Sequence, residues 1–276
     1  MSVVSATCFI LTVAVIICAF EDLSLNKRLF RNNLFDWRYC LAFQPKLRPA
    51  PGRRLPHAAF GVTAFRMSAV LRIAGVGTGA AFILSANPYV VVPLALVLIG
   101  YFYLFYRLPY ALDGADQMTL FVLIGLMIML LDRGAGDFVR LGATAVTLHT
   151  AVSYITSGVA KLGSPIWRSG AGLSGIMNSG EFGNRPLAGL ISRCRGLHLL
   201  LSWAVMLTHV AVGVAILAGG PIVYAALAAA MAFHIAVALT MRLNNFVWAF
   251  GAAYPSILFM ADWDQRALFL HDLAGL

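Results

Sequence analysis

The sequence predicts an all-α protein, a polytopic transmembrane helical bundle of about eight spans. Three observations carry that prediction. Apolar residues make up 61% of the 276 residues and charged residues only 11%, and mean hydropathy reaches +0.84, far from the balance of a soluble domain. The apolar residues fall in separate runs, each near the length of about 20 residues, or roughly 17 with interfacial help, that crosses a hydrocarbon core. The charges gather between the runs.

In chain order the predicted spans are 3–20, 68–86, 89–106, 117–131, 141–160, 197–218, 221–241 and 245–261. The first has no positively charged head, so it is expected to stay as a span rather than be removed as a signal peptide. The fourth is short and the fifth is rich in small residues, which makes seven spans the alternative count. Glycine and alanine are dense in the second, fifth and seventh spans, where small residues let helices approach closely. Three regions follow: 1–67, a first span plus a basic linker; 68–263, the bundle; and 264–276, a short tail. Pro45, Pro49, Pro51 and Pro56 break the linker, so only about 25–40 is expected to form an interfacial amphipathic helix.

A formal charge of +9 raises nucleic acid as a partner. The cations sit between spans with no aromatic-basic motif, so no nucleic-acid site is predicted and the lipid bilayer is the expected partner. Nine of the 20 cations, from Lys27 to Arg66, lie between the first two spans. Arg107, Arg168, Arg185, Arg193, Arg195 and Arg242 fall on the same side under an eight-span count, against Arg133, Arg140 and Arg266 on the other. The chain is therefore expected in the cell membrane, with its basic loops and Lys161 inside and both termini outside. Cys8, Cys18, Cys40 and Cys194 show no Cys-x-x-Cys spacing, so neither a thiol-disulfide site nor a zinc site is predicted.

No Asp or Glu falls inside the predicted spans, which argues against proton-coupled transport. The ionisable groups there are His149, His209 and His234, each either an interhelical hydrogen-bond partner or a proton carrier, and Arg72, expected to snorkel to the interface. Asp113, Asp116 and Gln117 stand at the mouth of the fourth span. Asp116 is expected to cap that helix; the other reading turns Asp113, Asp116 or Gln117 toward Lys161.

Lys161 ends the fifth span. On a helix it shares a face with Ser157 and Tyr154, whereas His149, twelve residues earlier, lies about 18 Å away along the axis. A lysine at a helix end serves either as a snorkelling anchor or, desolvated beneath a loop, as a base. The segment from Lys161 to Arg195, with Pro165, Trp167 and glycines 163, 170, 172 and 175, reads as a long loop after the fifth span that re-enters or lies on the interface. A connection that long in a compact protein is expected to have a function.

Two patches carry a family resemblance. The first is an aromatic residue, in the segment that opens at Tyr154, then Ser157-Gly158, Lys161-Leu162 and Trp167-x-x-Gly170; the second is Phe233-His234, Phe246 and Tyr254-Pro255 running to Phe259. Together they resemble the vitamin K-dependent gamma-carboxylase-like superfamily, which includes the horizontally transferred transmembrane (HTTM) domain proteins. The short bacterial proteins of the sporulation-delaying-protein B type are the most similar. The resemblance implies that Lys161 is a base toward a quinone or hydroquinone cofactor and that Trp167 forms a wall of its site. It makes His234 a structural or proton-handling partner. Tyr154, on the Lys161 face, and Asp116 and Gln117, at the mouth of the fourth span, complete the expected site by position alone. Ala160-Lys161 stands where the carboxylases have two lysines, Asp116-Gln117 where they have Asn-His, and no soluble substrate domain follows. Carboxylation itself is not expected.

The resemblance instead implies maturation or export of a secreted antimicrobial peptide precursor, with a small accessory protein as partner. It also places the chemistry outside the cell, opposite to the charge count, unless a span is miscounted or the loop dips into the bilayer. Two other classes remain: a non-catalytic membrane scaffold, and a small transporter or quinone-binding subunit.

Overall fold

A computed structural model of the chain describes residues 2–25, 36, 60–108, 112–132, 136–180 and 182–261. The predicted amphipathic helix over 25–40, Cys40, most of the basic linker, Arg133, Arg266 and the tail lie outside the described residues. Those described are helical, with no strand among them. In order they form α1 (Val3–Ser24), α2 (Val62–Leu84), a 3-10 turn (Pro88–Val90) running into α3 (Val91–Arg107), α4 (Gly114–Met129) and α5 (Asp137–Gly163). Three short helices follow: α6 (Pro165–Arg168), α7 (Ala171–Met177) and α8 (Arg185–Arg193). The chain then continues through α9 (Arg195–Ala218), α10 (Ile222–Met241), α11 (Asn244–Gly251) and α12 (Tyr254–Ala261).

Five of these are long and apolar enough to cross a membrane: α1, α2, α3 with its leading turn, α9 and α10. The protein is a helical membrane bundle. The remaining predicted spans differ in kind. Helix α4 has 16 residues, about 24 Å at 1.5 Å per residue, less than a core of about 30 Å. Helix α5 is the longest at 27 residues, yet its Thr, Ser and His content keeps it from reading as a plain lipid-spanning helix.

The run at 245–261 is not one helix but two, of eight residues each, broken at Ala252 and Ala253. Pro255 has no N–H with which to continue the α11 ladder and starts α12 instead. The segment after Lys161 is likewise not an irregular loop. Its glycines separate three short helices, with Gly170 at φ 81° forming the turn between α6 and α7.

Glycine sets the helix spacing. A Cβ on Gly75 would stand 2.7 Å from Pro93 O of α3, and one on Gly142 would meet the backbone of α4 at Met129 N, 3.1 Å away. On the other side of α5, a Cβ on Gly158 would fall 2.9 Å from Val210 N, and one on Gly213 of α9 would fall 2.7 Å from Ala151 O. Backbones packed this closely gain dispersion contacts where lipid supplies no hydrophobic drive. Helix α5 is thereby held between α4 and α9.

The bundle has two ends. Arg107 donates from Nε to Phe60 O, joining the end of α3 to the start of α2 (3.0 Å). Asn245 donates to Glu21, joining α11 to the end of α1 (3.1 Å). Gly220 N donates to Ala261 O (3.2 Å), bringing the start of α10 and the end of α12 together at the opposite end. Lys161 lies at the end that also holds Arg66 and Arg107.

Candidate functional site

Tyr154, Ser157 and Lys161 share one face of α5 as their spacing predicts, and that face meets α9 and α10. Tyr154 is buried, and its hydroxyl lies 2.6 Å from Nε2 of His234 on α10. Around this pair stand His209, Phe233, Phe246 and Phe250. Ring centres are 5.8 Å apart for Tyr154 and His209, 5.3 Å for Tyr154 and Phe250, and 4.5 Å for His234 and Phe250. Residues separated by 80 positions in the chain, one from each sequence patch, thus meet in a single interior cluster.

Local packing explains why they meet. Gly158 and Gly213 bring α9 onto α5 closely enough for His209 to reach the edge of Tyr154. The break between α11 and α12 turns Phe246 and Phe250 inward beneath His234 and places Tyr254 next to Tyr154. Tyr254 donates to Leu227 O (3.0 Å). Nδ1 of His234 is buried without a hydrogen-bond partner among the described residues. His209 Nδ1 stands 2.7 Å from Val205 O and must donate to it. Two imidazoles therefore flank one phenol, one of them with an unused ring nitrogen.

Lys161 lies two turns further along α5, about 10 Å from Tyr154 along the axis. Its half-buried amine donates to the Ser157 hydroxyl and, at 3.2 Å, to Ser157 O. It also sits 5.4 Å from the centre of the Trp167 ring, a cation–π arrangement. The loop geometry makes Trp167 available. Gly172 presses on the indole so closely that a Cβ there would lie 3.1 Å from the ring. Ser202 of α9 donates to Trp167 O (2.6 Å) and Trp203 Nε1 to Arg168 O (3.3 Å), fixing α6 against α9. The spacing Trp167-x-x-Gly170-x-Gly172 is thus a folding requirement, for a turn and a close approach.

The remaining predicted residues stand elsewhere. Asp113, not Asp116, is the N-cap of α4: it accepts from Ala115 N (2.8 Å) and Asp116 N (3.1 Å), while Asp116 returns a bond from Asp113 N (3.2 Å). A cap belongs just before the first helical residue, which is Gly114. Asp116 also accepts from the Cys18 thiol of α1 (3.5 Å), and Gln117 is exposed. His149 stacks on Phe121 with ring centres 3.6 Å apart.

Arg72 does not snorkel. It is fully buried, paired with Asp22, with Nη1 3.7 Å from Cys18 Sγ and its guanidinium 5.2 Å from the Tyr101 ring centre. This network was missed because α1 runs past residue 20 to Ser24 and carries Glu21 and Asp22 with it. Their place next to an apolar run, one turn from Cys18, was the available signal.

A quinone ring requires flat apolar walls and a polar contact for each oxygen. In the cluster Phe233, Phe246 and Phe250 pack on the His234 ring itself, with centres 5.4, 5.9 and 4.5 Å away, so a quinone ring would reach the unpartnered His234 Nδ1 only where these rings part; the Lys161 amine is the other polar group nearby. Trp167 fits less well as a wall, since Gly172 and Lys161 already cover it. The chain matches no known family model, no curated protein and no solved structure. Fold and site define a helical membrane protein with a buried tyrosine–histidine network next to a lysine–tryptophan pair.

Proposed function

We propose that this chain is an integral membrane protein of the HTTM and carboxylase-like superfamily that assists maturation or export of a secreted antimicrobial peptide. Lys161, Tyr154 and His234 handle a proton for it. The observation that supports this reading is the 2.6 Å contact between Tyr154 and His234, which unites the two sequence patches on which the resemblance rests. A hydroquinone bound there would supply an acidic hydroxyl. Lys161, when deprotonated, would take that proton, Ser157 and the Trp167 ring would hold the resulting ammonium, and His234 Nδ1 would face the other end. Phe233, Phe246 and Phe250 keep bulk water away.

One observation favours a scaffold instead. The Lys161 amine is satisfied locally by Ser157 and Trp167, as a structural anchor would be. Replacement separates the two readings. In cells expressing Lys161→Ala at normal level, secreted antimicrobial activity is expected to fall to background, and purified Lys161→Ala is expected to lose binding of a soluble naphthohydroquinone. Full activity with the variant leaves only the scaffold reading.

A further inference from the structure

We infer that the outer face of α2 is a binding site for an anionic phospholipid, with its phosphate on Arg66 and an acyl chain along the seam between α2 and α3. Arg66 is four residues inside α2, about 6 Å from the helix end, at the depth of the headgroup region. Its neighbour on the helix, Arg72, shows how this protein treats a cation it needs for folding: full burial against Asp22. Arg66 is handled differently. Nη2 donates to Leu25 O (3.2 Å), but Nε is buried without a hydrogen-bond partner, and among the described residues no carboxylate pairs with it. With Nε shut inside, the Nη edge of this half-buried guanidinium is the part that an anion from outside would meet. Phosphate oxygens accept well from such an edge.

An apolar track leads away from the guanidinium. Val62, Met67 and Val70 line a groove of about 340 Å³ that includes Arg66 itself. Further along the same face lies a second groove of about 440 Å³, lined by Leu71, Ala74, Thr78 and Pro93. Thr63, Met67, Val70, Ala74 and Thr78 follow helical spacing, so the two hollows lie along one stripe. Small side chains at Ala74, Gly75 and Thr78 form the depression. From Arg66 to Thr78 the stripe runs about 18 Å, close to half of a core of about 30 Å. Met67 and Val70 are exposed, with nothing among the described residues covering them. A molecule with one negative end and a tail one leaflet long matches both parts.

Charge supplies the choice among lipids. Arg66 belongs to the end of the bundle that follows eight further cations between Lys27 and Arg54, and such a segment favours an anionic leaflet. The test uses the purified full-length chain in neutral detergent, with thermal unfolding followed as lipid is added. Phosphatidylglycerol is expected to stabilise it at about fivefold lower concentration than phosphatidylcholine of the same acyl chains. Arg66→Gln is expected to abolish that difference, Arg66→Lys to keep most of it, and Ala74→Leu to weaken both lipids by filling the groove. Equal response of the unaltered protein to the two lipids overturns the inference. So does a phosphatidylglycerol preference that survives in Arg66→Gln, or the same stabilisation by inorganic phosphate alone. Where Arg66→Gln does not fold, the lipid comparison on the unaltered chain and Ala74→Leu still decide.

Discussion

At the scale of single residues, the interior polar groups divide into those that hold the fold and those left with unused bonding capacity. Arg72 belongs to the first kind. It is, with Arg107, the largest fully buried side chain among the described residues, and Asp22, Cys18 and Tyr101 surround its guanidinium. Removing one partner of such a pair strands a charge in a medium that cannot solvate it, which costs about 3–5 kcal/mol, whereas replacing both with apolar groups is close to neutral. Asp22→Asn is therefore expected to destabilise the protein by about that amount in denaturant titrations in lipid bicelles, and the pair Asp22→Leu with Arg72→Met to recover most of it. A loss under about 1 kcal/mol for Asp22→Asn would mean the pair contributes no more than a surface contact. His234 is of the second kind, since its Nδ1 is buried and unused. No periodicity in one helix shows this, because the groups that close around the ring are Tyr154 on α5 and Phe246 and Phe250 on α11.

At the scale of elements, the sequence made the apolar helices legible because lipid imposes a length and an apolarity that can be read residue by residue. Helices α1, α2, α3, α9 and α10 overlap their predicted runs for that reason. Where protein rather than lipid surrounds a segment, the rule weakens. Helix α5 is packed between α4 and α9 and tolerates Thr147, Thr150 and Ser157, while the run at 245–261 breaks at Pro255 because neighbouring helices surround the free ends. The site was half legible. Tyr154, Ser157 and Lys161 share a face by helical geometry alone, but His209 required the approach of α9, which Gly158 and Gly213 permit. That approach is testable. Gly158→Ala places a methyl 2.9 Å from Val210 N and 3.1 Å from Met206 O, so α9 must move, at a cost of about 1–3 kcal/mol. Gly175→Ala meets nothing within 4 Å and is expected to be neutral or to stabilise by up to about 1 kcal/mol. Similar melting temperatures for the two variants would show that α5 and α9 are not in the tight register described.

At the scale of the whole molecule, the open question of sidedness has a physical answer within reach. Lys161, Arg66, Arg107 and the start of α9 lie at one end of the bundle, the end that also receives the basic linker. Positively charged segments are retained on the cytoplasmic side because moving them across opposes the membrane potential and the anionic inner leaflet. The Lys161 end is therefore expected to face the cytoplasm, opposite to the side that the carboxylase resemblance implies. The cysteines provide the probe. Cys194, between α8 and α9, is exposed, whereas Cys8 and Cys18 are buried within the bundle. In a Cys40→Ser background, a membrane-impermeant maleimide is expected to leave intact spheroplasts unlabelled. Inverted membrane vesicles are expected to be labelled at Cys194, with the label lost in Cys194→Ser. Labelling from the outside would reverse the topology and put Lys161 on the exterior face. The positive-inside argument would then fail for this chain, and the proton taken up at Lys161 would be released to the outer aqueous phase.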